Sequence, residues 1–276
     1  VTADGVDQSA LDDAVVAFYT DADEDSRIQG SSTSGLVEFT RVQRLLRARL
    51  EPGSRVLDVG GATGVHSRWL AADGHRVTLI DPVPQQVERA AGIGTFEALV
   101  GDARRLPFDD GCADAVLLFG PLYHLAERQD RLGALTEAVR VLRPGGLLFA
   151  QGISRLAALS TEAAIFGYGQ LDAALWELLR TGRWASTAGG FPGGHFHTVA
   201  ELRDEVAEAG CVVESVHGLE GPHAGALDLL AADEQVAEAA LELAERLEQR
   251  VMGSRLGDAV AEYSPHVMVV ARRVID

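Results

Sequence analysis

Cysteine is scarce in this chain. Cys112 and Cys211 are its only two, far apart and each set among apolar or small residues. That excludes a disulfide framework and any cysteine-based zinc spacing, and it suits a reduced, cytoplasmic protein. Positive charge is also in short supply. Lysine and arginine together number 24 against 41 aspartates and glutamates, a formal charge of −17. Such a chain repels polyanions unless it carries a local basic patch. The densest basic run, Arg41 to Arg49, alternates with apolar residues as a helix face does. Nucleic acid and anionic membrane are therefore not expected as partners. Long apolar runs are missing, so no segment reads as a bilayer span. The acidic N-terminus lacks the charge pattern of a signal peptide. No set of acidic residues and histidines stands at metal-ligand spacing, so no metal is expected.

Glycine, by contrast, is plentiful at 30 residues. Four of the ten positions in Arg55-Val-Leu-Asp-Val-Gly-Gly-Ala-Thr-Gly64 are glycine or alanine, and the rest of the chain can be placed around this stretch. Val56, Leu57 and Val59 suit a short buried strand. Gly60, Gly61 and Gly64 permit a tight turn in which backbone approaches a ligand closely. From Val65 the pattern becomes helical, with Trp69 and Leu70 on one side. Strand, glycine turn and helix N-terminus together make a nucleotide-type site.

Upstream, Leu11 to Tyr19 and Leu36 to Leu50 show helical spacing, and Pro52-Gly53 stops the second. Downstream, strands at Arg76–Ile80, Glu97–Val100, Asp114–Phe119 and Leu147–Gln151 are interleaved with helices reaching Ala91 and spanning Arg128–Leu142. That alternation predicts a parallel sheet with right-handed crossovers. Residues 154–193 break the rhythm. They are helical over Leu156–Ile165 and Leu171–Leu179, end in a glycine-rich loop, and read as a cap inserted over the site. Thr198 then N-caps a helix to Gly210, with Glu201 completing a capping box. Val212–Val216 and His266–Arg272 read as two further strands, with one long amphipathic helix, Leu227–Met252, between them. The organisation expected is an N-terminal helical segment over residues 1–50 that covers the site, and a core over 51–276 with a cap insertion at about 154–195.

The order of motifs resembles that of the class I S-adenosylmethionine-dependent methyltransferases, of the bacterial small-molecule type. Asp58-Val-Gly-Gly-Ala-Thr-Gly64 looks like the family's glycine motif, with Ala62 where the middle glycine stands. Asp81, followed by Pro82, resembles the acid that holds the ribose. Asp102-Ala103 resembles the pair that meets the adenine. Pro144-Gly145-Gly146 resembles the turn before the fifth strand. Phe119 leaves the fourth strand where substrate meets cofactor in the family. Tyr19 and Arg27 resemble N-terminal residues that close over the cofactor. The resemblance implies an α/β, Rossmann-like, seven-stranded, mostly parallel sheet with the last strand antiparallel, plus N-terminal helices. It also implies S-adenosyl-L-methionine as cofactor. A nicotinamide fingerprint fails, because neither Gly60 nor Gly61 is followed by glycine at the required positions.

Phe119-Gly-Pro-Leu-Tyr-His-Leu125 occupies the place of the Asn/Asp-Pro-Pro-Tyr motif of base and glutamine methyltransferases, but Gly120 and Leu122 replace the amide or acid and the second proline. The acceptor is therefore read as N or O of a small molecule. A protein substrate, or a non-catalytic cofactor- or partner-binding role, is the alternative, and a homodimer is left open. Transfer from a sulfonium needs in-line alignment, exclusion of water and removal of a proton. Tyr123, His124, His195 and His197 are the candidates for the proton, since imidazole is a base near neutral pH.

Overall fold

The structure, a computed structural model, describes residues 7–20, 32–156, 172–185 and 191–275. Seven strands form one sheet: β1 (Arg55–Val59), β2 (Arg76–Asp81), β3 (Glu97–Val100), β4 (Ala113–Leu118), β5 (Leu142–Ile153), β8 (Cys211–Gly218) and β9 (His266–Arg273). Their order across the sheet is β3-β2-β1-β4-β5-β9-β8. β1 to β5 pair in parallel, and β9 runs antiparallel to both β5 and β8. The expected fold class is therefore the observed one, with the last strand of the chain inserted as the antiparallel member.

Side-chain alternation gives the sheet two dry faces. Leu57, Val59, Val116, Leu118 and Leu148 face a core completed by the helices α5 (Arg128–Val141) and α7 (Val199–Glu208). Val56, Ala115, Leu117, Phe149 and Met268 face the other way, against α2 (Thr33–Arg47) and α3 (Val65–Ala72). β4 is buried on both faces, which is why its sequence reads as an uninterrupted apolar run. α1 (Gln8–Thr20) lies across the carboxyl ends of the strands, and α4 (Pro84–Ala91) follows β2.

Three expectations need correction. The helix expected over 227–252 is divided into α8 (Ala224–Leu227) and α9 (Glu234–Val251). Asp233 accepts from the backbone N–H groups of Gln235 and Val236, so its side chain starts a new helix where an uninterrupted one would have continued. A further helix, α10 (Arg255–Glu262), then begins at Ser254, whose hydroxyl accepts from Gly257 N–H. Between α6 (Asp172–Thr181) and α7 the chain makes a short antiparallel pair, β6 (Arg183–Ala185) with β7 (Gly193–His195), which helical spacing did not signal. Leu178, Trp184 and Phe196 give this segment a small core of its own, with Ile153 and Phe191 packed against it. The expected helix at 156–165 lies almost wholly outside the described residues. The capping box at Thr198 and Glu201 is present. No described helix is long and apolar enough to cross a membrane.

Candidate active site

β1 ends in a turn that is held against two neighbours at once. Gly60 has φ +78°, and a Cβ there would lie 2.6 Å from Pro121 Cδ, in the loop that leaves β4. Its N–H donates to Ile80 O at 2.7 Å. Gly61 sits over Asp58 and Leu79, with no room for a side chain, and the ring of Phe96 fills the space above Gly64. Ala62 is the one described non-glycine residue at positive φ, +47°. Its N–H donates to Asp81 Oδ2 at 2.9 Å, and Val83 N–H donates to Asp81 Oδ1 at 2.9 Å. The Asp81 carboxylate, 6 % exposed, is thereby aimed by two backbone donors from opposite sides of the turn.

A left-handed conformation costs a residue with Cβ about 1 kcal/mol or more. Ala62→Gly is accordingly expected to raise stability by about 0.5–1 kcal/mol, read as a higher urea midpoint at unchanged m. An unchanged or lower midpoint refutes the strain.

The turn forms one wall of a cavity of about 190 Å³. Asp81, Pro82, Asp102 and Ala103 line it from the ends of β2 and β3, Tyr123 and His124 from the loop after β4, and Asp12, Val15 and Tyr19 from α1. α1 is fastened over it by polar links. Gln8 Nε2 donates to His124 O, and Ala126 N–H donates to Gln8 Oε1, at 3.1 and 3.0 Å. Arg104 Nη2 pairs with Asp12 at 2.7 Å, and Gln86 Nε2 donates to Tyr19 O. Gln8, Asp12, Gln86 and Arg104 belong to no motif, and only the docking of α1 gives them a role at the site.

His124 is 9 % exposed and both of its ring nitrogens are engaged. Nδ1 lies 3.4 Å from Gly193 O, an acceptor only, so Nδ1 carries the proton there. Nε2 is then the acceptor for the Tyr19 hydroxyl at 3.1 Å. Burial lowers the imidazole to about 4, against the smaller opposing effect of Gly193 O, so the ring is neutral near pH 7. Tyr19, Tyr123 and Phe191 pack around it at ring-centroid distances of 5.4, 4.8 and 5.0 Å.

Other candidate residues lie around this centre in different ways. Asp58 is not a wall of the cavity. It is buried beneath Gly61, its Oδ2 accepts from Ser67 Oγ at 2.7 Å, and its Oδ1 has no hydrogen-bond partner among the described residues. Burial raises its pKa to about 6, opposed by Ser67 and reinforced by Asp81. Asp102 does line the cavity, but Arg104 grips its carboxylate through Nε, Nη2 and the backbone N–H. Burial alone would raise this carboxyl; the Arg104 contacts outweigh it and hold the pKa below the ordinary value. Phe119 is in the sheet core beside His66.

His195 and His197 are drawn to the cap. His197 Nε2 is 3.4 Å from Glu205, which Arg131 grips at 2.8 Å, and His195 Nε2 is 3.7 Å from Glu201, which Arg155 holds at 2.5 Å. Neither is among the walls of the cavity that contains Asp81; alternation along an extended strand places their rings together, with centroids 4.7 Å apart. Arg27 lies outside the described residues.

Residues 57–150, about a third of the chain, match a family described as a methyltransferase domain. Over 104 residues the chain is 41% identical to the 2-methyl-6-phytyl-1,4-hydroquinone methyltransferase of Synechocystis, covering 36% of this chain and 32% of that one. Over 111 residues it is 37% identical to the probable tRNA methyltransferase 9B of Homo sapiens, covering 40% and 23%. The matched segment thus spans less than two fifths of these relatives' own length. Among solved structures, a protein of Methanosarcina mazei titled a SAM-dependent methyltransferase superposes with a TM-score of 0.57 at 16% identity, over 84% of this chain and 98% of that one, a likeness of fold.

Proposed function

We propose, from the premise that this chain carries a class I S-adenosylmethionine-dependent methyltransferase domain, that it transfers a methyl group to N or O of a small-molecule acceptor. The observation that carries this is the single cavity in which the glycine turn, Asp81 and Asp102 meet under α1. Its residues fit an adenosyl ligand. Gly60 leaves no room for a side chain and brings backbone to the cavity wall, whereas Gly61 and Gly64 pack against Leu79, Asp58 and Phe96 and do not line it. Asp81 presents a carboxylate oriented for paired hydroxyls, and Val83 and Ala103 supply apolar walls. S-Adenosylmethionine bound there supplies a methyl group already activated on a sulfonium.

What remains for the protein is alignment, dryness and the acceptor's proton. α1 closes the cavity through Val15, Val16 and Tyr19. The Tyr19 hydroxyl receives the acceptor's proton as its own passes to His124 Nε2, and the Gly193 carbonyl steadies the imidazolium from Nδ1. A ring lowered to about 4 is a weak base. It suffices for an N–H or O–H that has become acidic through methylation. The charge of −17 supports a small molecule over nucleic acid.

The test is calorimetric titration with S-adenosylhomocysteine, together with labelled-methyl transfer to a metabolite panel. Micromolar binding and transfer to at least one acceptor are expected. His124→Ala is expected to lower kcat at least 100-fold with the S-adenosylhomocysteine affinity kept. No binding refutes the cofactor, and wild-type turnover of the variant removes His124 from the chemistry.

A further inference from the structure

A second cluster of chemistry-bearing side chains stands at the same carboxyl edge of the sheet, outside the cavity. Glu38 comes from α2, Glu220 from the loop after β8, and His266 from the first position of β9. They are far apart in sequence, which is why no spacing revealed them. One donor atom from each lies within 4.8 Å of the other two. His266 Nδ1 is 2.5 Å from Glu220 Oε1 and 3.6 Å from Glu38 Oε1. Glu38 and Glu220 are 5 % and 2 % exposed.

The groups behind these three aim them inward. Ser264 Oγ and the backbone N–H of His266 both donate to Glu220 Oε2, at 2.6 and 3.0 Å, which leaves Oε1 directed at the imidazole. Gln151 Nε2, on β5, donates to Glu38 Oε1 at 3.2 Å. Outer contacts of this kind fix ligand orientation in metal sites. Arg41, one turn from Glu38 on α2, pairs with Glu248, and so does His217. Within the cluster, carboxyl groups outnumber the one imidazole.

We propose that Glu38, Glu220 and His266 form a binding site for one first-row divalent cation, Zn²⁺ or Mn²⁺, that ties α2 to the β8–β9 end of the sheet. One imidazole and two carboxylates suit such ions. Donors about 2.1 Å from a metal stand roughly 3–4 Å apart, so Glu220 and His266, 2.5 Å apart, need to separate by roughly 0.5–1.5 Å.

The experiment strips the full chain with chelator, dialyses it, and titrates it with Zn²⁺ and separately with Mn²⁺. Calorimetry, elemental analysis after gel filtration and thermal melts are the readouts. One ion per chain is expected, with Kd below about 10 µM for one of the two metals and a Tm rise of about 5 °C at hundredfold excess over Kd. Glu38→Gln and Glu220→Gln are each expected to bind at least 30-fold more weakly while keeping S-adenosylhomocysteine affinity and the far-ultraviolet circular dichroism. No binding by the wild type, or equal binding by a folded variant, overturns the site and leaves the cluster as a buried ion pair. Should both variants misfold, X-ray absorption of the zinc-loaded wild type decides. One imidazole with oxygen donors supports the site; sulfur or several imidazoles overturn it.

Discussion

Asp81→Ala is expected to weaken S-adenosylhomocysteine binding by about two to three orders of magnitude. Hydrogen bonds to a charged acceptor contribute about 1.5–3 kcal/mol each, and a ribose offers two hydroxyls, so a loss of about 3–4 kcal/mol is the natural scale. The substitution also strips Ala62 N–H and Val83 N–H of their acceptor, so the glycine turn loosens with the loss of ligand contacts. Asp81→Asn separates the two effects. It keeps one acceptor oxygen and nearly the same shape, but turns an amide N–H toward a backbone donor. It should retain more stability than alanine and still bind at least tenfold more weakly than wild type. Removing the Asp81 charge also relieves Asp58, so the Asp58 titration should move below about 6 in either variant. Isothermal titration and carbon-detected carboxyl titrations measure both. Unchanged affinity in Asp81→Ala would mean that the ligand does not sit at the end of β2.

The sheet was legible because each of its strands carries its own signal. β1 and β3 stand where apolar spacing put them, and β4 lies one residue earlier than expected, because all are short apolar runs bounded by turn residues. The shared cavity of Asp81 and Asp102 was legible for a related reason. Asp81 and Asp102 follow strands directly, so strand order alone delivers them to one edge. What stayed hidden depends on packing between segments remote in sequence. No local pattern shows that Asp12 will reach Arg104, or that Gln8 will satisfy the backbone at His124 and Ala126. The split between α8 and α9 turns on whether Asp233 caps a helix or rides on one, and apolar spacing is blind to that choice. His195 and His197 show the converse. Spacing put their rings on one side correctly, and only the tertiary pairing of Arg131, Glu205 and Glu201 decides which side that is.

Those histidines make the protein's stability sensitive to acid. His124 and His195 are each lowered to about 4 by burial, and His197 is lowered in the same direction for the same reason. A histidine whose folded pKa lies below its unfolded value binds fewer protons folded than unfolded. Its contribution is therefore fully present above pH 6.5 and is lost as pH falls from there toward 4. Each of the two shifts to about 4 is worth on the order of 3 kcal/mol across that window. Asp58 works in the opposite direction. Raised to about 6, its carboxyl is costly when charged, so acidification from pH 7 to 4 returns on the order of 3 kcal/mol. The histidines outnumber it, and the net expectation is a loss of at least roughly 3 kcal/mol between pH 7 and pH 4. Glu205, held near 2 by His197 and Arg131 against the cost of its burial, stays ionised in the folded protein while the unfolded chain takes up a proton there below about pH 5, so it adds to the loss by on the order of 1 kcal/mol at pH 4. Urea melts at half-unit pH steps test this through the midpoint. Asp58→Asn should be more stable than wild type at pH 7 and steeper in its acid decline, because a compensating group is gone. His124→Gln should be shallower, by about 1 kcal/mol per pH unit where the imidazole titrates. A midpoint level from pH 7 to 4 in the wild type would show that these rings are solvated in the folded protein. It would also take away the dry, neutral imidazole that proton transfer through Tyr19 requires.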